Sequence, residues 1–141
     1  MKKNYIKLSV FILVPLLLGT FVGLLTVLNN NVDSIIPAWI FPIVWSILYI
    51  LMGISSYLVY EETYKISKIY VIQLVFNLLW SFIFFKFKLF VLAFIWIIIL
   101  ILLVGLMIKD FIVKNKIAGY LQIPYFIWLV IASILNIMFI V

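Results

Sequence analysis

Apolar positions run almost without interruption along this chain, and the polar ones gather in short breaks. Five stretches are long and apolar enough to cross about 30 Å of hydrocarbon as helices: 8–28, 41–60, 69–85, 89–108 and 117–139. None contains Asp, Glu, Lys or Arg. The runs are continuous rather than alternating, which argues for helices over a membrane β-barrel. They are apolar nearly all round, as helices in lipid are. The predicted fold is therefore all-α, an integral membrane five-transmembrane-helix bundle in one domain. Pro37 and Pro42 set the start of the second helix near Phe41, Pro15 is tolerated within the first, and Pro124 resets the fifth. The longest connection, 29–40, starts on three asparagines and ends in a Pro/Trp/Pro cluster. It reads as an ordered loop on the membrane surface that forms a lid over the bundle. The apolar run after Met1, Lys2 and Lys3 exceeds the 7–15 residues of a signal-peptide core and has no A-x-A site after it, so it reads as a retained helix.

Composition sharpens this. At 70% hydrophobic and 10% charged, a chain of 141 residues lies far from the roughly 45–50% apolar and 25% charged of a soluble domain, and it is too short to bury so much apolar surface in water. A soluble enzyme, a nucleic-acid-binding domain and a disordered chain are set aside. The absence of Cys and His removes disulfides, thiolate nucleophiles, Cys/His zinc sites and a histidine base. A net charge of +6 does not point to nucleic acid, because the lysines cluster between the apolar runs. Lys2, Lys3, Lys7, Lys65, Lys68, Lys109, Lys114 and Lys116 fall on one side of the membrane, and Lys86 and Lys88 on the other. The positive-inside rule then places the N-terminus in the cytoplasm and the first loop and C-terminus outside. The lack of an ionisable residue at depth argues against an ion-coupled transporter. In particular, a small multidrug exporter would need an acid in its first helix. A passive path stays open.

Candidate chemistry comes from polar and aromatic positions sharing helical faces. Gln73, Asn77, Trp80 and Ser81 share one face of the third helix; Tyr125, Trp128, Ala132 and Asn136 one face of the fifth; Trp45, Tyr49, Met52 and Ser56 one face of the second. Any one of these polar groups alone reads first as an interhelical hydrogen bond worth roughly 0.6–2 kcal/mol. Their depth suggests more. Trp80 stands about 9 Å from the outer end of its helix and Trp128 about 18 Å from the inner end of its own. Trp128 is thus too deep for a headgroup belt. Trp45, Trp80 and Trp128 with Asn77 and Asn136, beneath the lid, would line a pocket for a flat, mostly apolar ligand. Trp39 reads as an interfacial anchor or a lid residue. Trp96, with no polar partner on its face, reads as lipid-facing or packing. Gly19 and Gly23 form a G-x-x-x-G that admits either a neighbouring helix or a second copy.

These motifs resemble a known family. The stretch PAWIFPIVWSILYILMG at 37–53, QLVFNLLWSFIFF at 73–85, and IPYFIW at 123–128 followed by Ala132, Leu135 and Asn136 are similar, in order and over essentially the whole chain, to the helix motifs of the TspO/MBR family. Its members are the tryptophan-rich sensory proteins and the mitochondrial translocator protein, or peripheral benzodiazepine receptor. Gly19 and Gly23 resemble the glycine pair of its first helix. The resemblance implies a homodimeric receptor or sensor in the bacterial cell membrane. It would bind porphyrins such as protoporphyrin IX and haem, or similar flat hydrophobic molecules, through Trp45, Asn77, Trp80, Trp128, Ala132 and Asn136; the neighbouring positions Trp39, Tyr49, Tyr125 and Leu135 complete the candidate site. It leaves two alternatives: light-dependent porphyrin degradation, with Trp45 and Trp128 as the catalytic residues, and translocation of the ligand. No metal site and no resident cofactor is expected, and bound haem would lack a His or Cys axial ligand. The chain departs from the family in its first loop, where 32–37 reads VDSIIP with one proline. It also departs after Asn136, where IMFIV lacks the tyrosine and basic residue of the animal cholesterol motif.

Overall fold

The computed structural model describes residues 5–26 and 39–141. The lid predicted at 29–40, and with it the single-proline stretch 32–37, lies outside the described residues except for Trp39 and Ile40. The described residues form helices and no strand: α1 (Tyr5–Leu25), α2 (Ile40–Thr63), α3 (Lys68–Ser81), α4 (Phe90–Lys114), α5 (Lys116–Leu121) and α6 (Ile123–Met138). The third span continues through a π-helical turn, Phe82–Lys86, and the fifth consists of α5 and α6 together. All five spans are long and apolar enough to cross a membrane.

Local chemistry explains where the elements stop. Ser67 caps α3 by accepting the Tyr70 N–H at 3.4 Å, and Asn115 caps α5 by accepting the Ala118 N–H at 3.2 Å. Tyr64, in the left-handed region at φ 56°, ends α2 with its N–H on the Tyr60 carbonyl at 2.7 Å. Lys88, at φ 53°, turns the chain so that the Leu89 N–H reaches back to the Ile83 carbonyl at 3.0 Å. Pro124 has no N–H to continue the helix from α5, so the chain breaks at Gln122 and restarts with proline in the first turn of α6.

The core follows from the faces. In α4, Ala93, Ile97, Leu100, Val104, Met107 and Phe111 recur at helical spacing and are all fully buried against α3, α5 and α6. By contrast, α1 buries little beyond Pro15 and Val22 and packs mainly on α2. That seam is made by Gly53, whose missing Cβ leaves room for the Phe11 carbonyl and the Ile12 Cα of α1. Just beyond it, Phe11 sits against Tyr57 and Tyr60 at 5.8 and 5.3 Å, and the Lys7 ammonium lies 5.1 Å from the Tyr60 ring. Gly19 accommodates the Tyr49 ring, whereas Gly23 has no neighbour within 4 Å. Among the described residues, neither glycine of the α1 pair has another helix's backbone as its nearest contact. Gly23→Ala should raise the melting temperature in detergent, by roughly 0.5–1 kcal/mol of helix preference. A lowered melting temperature would mean that another segment of the chain or a second copy packs there.

Candidate ligand site

Three helices converge on the site. Along α2, Phe41, Trp45 and Tyr49 recur every fourth residue and point into the bundle. Their rings form a corner with those of α6. Trp45 stacks on Tyr49 at 5.7 Å and meets Tyr125 and Trp128 edge-on at 6.3 and 6.4 Å, while Phe41 meets Trp128 edge-on at 6.0 Å. A cavity of about 150 Å³ lies beside this corner, between α1, α2 and the end of α3. Gly19, Gly23, Phe41, Trp45, Tyr49 and Ser81 are among its walls. Of the two α1 glycines in its wall, Gly23 leaves open space, while Gly19 admits the Tyr49 ring.

Behind the aromatic corner runs a chain of hydrogen bonds through the middle of the bundle. The Tyr49 hydroxyl donates to Asn77 Oδ1 at 2.6 Å, Asn77 Nδ2 donates to the Tyr125 hydroxyl at 2.8 Å, and that hydroxyl donates to Gln73 Oε1 at 2.8 Å. Gln73 Nε2 ends the chain on the Tyr70 carbonyl at 3.0 Å. Each of these buried groups is satisfied by a partner on another helix or its own backbone, which apolar surroundings require. The chain ties α2, α3 and α6 together. A second tie lies nearer the turn between α3 and α4, where Trp80 Nε1 donates to Asn136 Oδ1 at 3.4 Å and Asn136 Nδ2 to the Phe90 carbonyl at 2.8 Å. Around it, Trp80 stacks on Phe84 at 4.9 Å, and Phe84 meets Phe85, Phe90 and Phe139 within 5.3 Å. The π turn places Phe84 and Phe85 in this aromatic plug.

Of the residues predicted to contact ligand, Trp45 and Tyr49 line the larger cavity. Trp80, Ala132 and Leu135 line a gap of only about 20 Å³. Tyr125, Trp128, Asn77 and Asn136 are buried beside these spaces without lining either. Asn77 and Asn136 face protein partners, as interhelical groups do. Trp39 is not brought in: it stands 67% exposed at the start of α2 and lines neither space. Trp96 takes the packing role, one of the two its position in the sequence allows. It is half-buried, stacks on Phe76 at 4.6 Å and donates Nε1 to the Phe76 carbonyl at 2.9 Å. The partner is a backbone group of α3, which no side-chain pattern on α4 reveals. One indole differs from the others: Trp128 Nε1 is buried and has no hydrogen-bond partner. The sequence motifs contain Gly53 and Gln73, but spacing along one helix does not show that Gly53 meets α1 or that Gln73 bonds Tyr125.

The chain was also compared with known proteins. The TspO/MBR family profile matches residues 11–141. The chain is 34% identical over 102 residues to the tryptophan-rich sensory protein of Cereibacter sphaeroides, covering 71% of this chain and 65% of that protein. It is 34% identical over 106 residues to the tryptophan-rich protein TspO of Chlorobaculum tepidum (71% and 67%) and 32% identical over 111 residues to protein CrtK of Rhodobacter capsulatus (71% and 66%). The matched segment spans about two thirds of the length of these curated relatives.

Proposed function

The chain belongs to the TspO/MBR family and is an integral membrane protein, and from that premise we propose that it is a receptor for porphyrins, such as protoporphyrin IX and haem, and for similar flat hydrophobic molecules at the Trp45–Trp128 corner. The observation that carries this reading is the unpaired Trp128 Nε1, buried in an aromatic wall beside a cavity. An indole N–H is a donor only. Left unpaired at depth it is costly, and an acceptor on an aromatic ligand, such as a porphyrin carboxylate, would relieve that cost while the ligand's faces pack on Trp45 and Tyr49. Mostly apolar walls with one or two placed polar groups are what a site of this kind needs.

The cavity of about 150 Å³ is below the roughly 300–1,000 Å³ of a site for a drug-sized ligand. Binding of a porphyrin therefore requires the outer half of the α1–α2 seam to open. The seam favours that: its backbone contact at Gly53 lies towards the inner end, and its outer half rests on the Tyr49 ring over Gly19. The lysine positions support a cytoplasmic N-terminus, with the first loop and C-terminus outside, and a second copy of the chain is the expected partner. Titrating the purified protein with protoporphyrin IX should quench tryptophan fluorescence saturably. Quenching that rises linearly, as it does with free tryptophan, would refute the reading.

A second reading, light-dependent degradation of the bound porphyrin with dissolved dioxygen as the oxidant, is favoured by the contact between Trp45, Trp128 and Tyr49, which puts rings able to donate an electron to the excited porphyrin at the site. Illumination of the complex should then yield a new absorbing product that Trp45→Phe and Trp128→Phe suppress. A spectrum that bleaches as free porphyrin does would exclude it.

A further inference from the structure

Gln122, at the break between α5 and α6, is fully buried, and both its side-chain Oε1 and Nε2 lack hydrogen-bond partners. Ser56 on α2 is buried with its Oγ unpaired. Both lie on elements that meet, Ser56 on α2 and Gln122 at the end of α5. Ser55, the neighbour of Ser56, donates its hydroxyl to the Ala118 carbonyl at 2.6 Å, and Gln122 follows Ala118 by one helical turn, about 6 Å along the axis. The break adds to the local polarity. Gln122 turns its own N–H to the Gly119 carbonyl at 3.1 Å instead of to Ala118, and Pro124 offers none to Tyr120.

We infer that Gln122 and Ser56 form a buried water-binding site in the inner half of the bundle, separate from the aromatic corner. The unpaired groups specify the ligand. Gln122 presents a donor and an acceptor together, and Ser56 a hydroxyl that is both. A cation would leave Nε2 without an acceptor, and an anion would leave Oε1 without a donor. No acidic or basic residue lies within the spans' cores to balance an ion. A neutral molecule that donates and accepts satisfies all of them, and water is small enough for a site with no large cavity of its own. Buried waters of this kind make about three hydrogen bonds to otherwise unpaired groups. Waters also re-satisfy the backbone where proline breaks a membrane helix. The water site makes the α5–α6 joint a hydrated break in an otherwise dry bundle. It does not depend on porphyrin binding.

The test is a double-mutant cycle on the full chain in one detergent, with Gln122→Leu, Ser56→Ala and both together. With water shared between the two residues, each single change lowers the melting temperature, and the double variant falls by less than the sum of the two. Additive falls would overturn the shared site. A rise for Gln122→Leu alone would also do so, because removing a dry, unpaired amide stabilises. If the leucine variant does not fold, a crystal structure of the wild-type protein decides. Ordered solvent within hydrogen-bond distance of the Gln122 amide supports the site, and continuous protein packing around that amide contradicts it.

Discussion

Asn77→Ala should be among the most destabilising truncations in this bundle, lowering stability by roughly 2–3 kcal/mol in a thermal or denaturant titration in detergent. Asn77 accepts from the Tyr49 hydroxyl and donates to the Tyr125 hydroxyl, so its loss strips two buried groups on two other helices at once. The Tyr49 hydroxyl then has no acceptor in an apolar interior. The Tyr125 hydroxyl keeps its bond to Gln73, which holds the effect below that of two orphaned groups. Removing a partner and leaving the other group buried costs more than removing both. The double variant Asn77→Leu with Tyr49→Phe should accordingly be milder than Asn77→Ala. An effect of Asn77→Ala within about 0.5 kcal/mol of wild type, the scatter of surface substitutions, would show that the chain of bonds does not hold the helices.

Gly53→Ala should be comparably damaging, although alanine is the better helix former by about 1 kcal/mol. A Cβ at this position would overlap the Phe11 carbonyl and crowd the Ile12 Cα and N of α1. These are backbone atoms, so no rotamer change relieves the clash, and overpacking of this kind costs typically 1–3 kcal/mol. Since α1 packs chiefly on α2, the strain falls on the docking of the whole helix. The expected outcome is a lower melting temperature together with faster proteolysis near α1. Unchanged stability in Gly53→Ala would mean that the α1–α2 seam is looser than the structure has it. The contrast with Gly23→Ala, expected to stabilise, separates a glycine that admits a backbone from one that leaves a space.

Much of this architecture could be read from residue patterns, because lipid leaves so few options. Charge-free apolar runs can cross a membrane only as helices or a closed barrel, and the runs here do not alternate. The shared faces of Gln73 with Asn77 and of Tyr125 with Trp128 follow from 3.6-residue periodicity. The partners across helices did not follow, because spacing along one helix is silent about which neighbour it meets. Hence the pattern offers Asn77 and Asn136 both as interhelical groups and as pocket lining, without showing that Asn77 joins Tyr49 to Tyr125 and Asn136 joins Trp80 to the Phe90 carbonyl. For a related reason, spacing allows Trp96 a packing role but does not show its acceptor, a backbone carbonyl. The G-x-x-x-G points to Gly19 and Gly23, yet the close backbone approach is at Gly53, a single glycine at the end of the 37–53 motif. Gln122 was overlooked, though an amide two residues before a proline within an apolar span already marks a place where backbone and side chain both need partners.

The central proposal is that the Trp45–Trp128 corner binds a flat ligand through ring contact and the free indole N–H of Trp128. The most direct measurement is the affinity for protoporphyrin IX of Trp128→Phe beside that of Trp96→Phe. Phenylalanine at 128 keeps an aromatic ring but loses the donor. A hydrogen bond to a charged acceptor is worth about 1.5–3 kcal/mol, so affinity should fall by roughly ten- to a hundredfold. Trp96 donates to the Phe76 carbonyl on the α3–α4 seam and lines neither cavity, so its replacement should leave affinity within about twofold of wild type. Equal affinity in wild type and Trp128→Phe, or equal losses in both variants, would contradict the account.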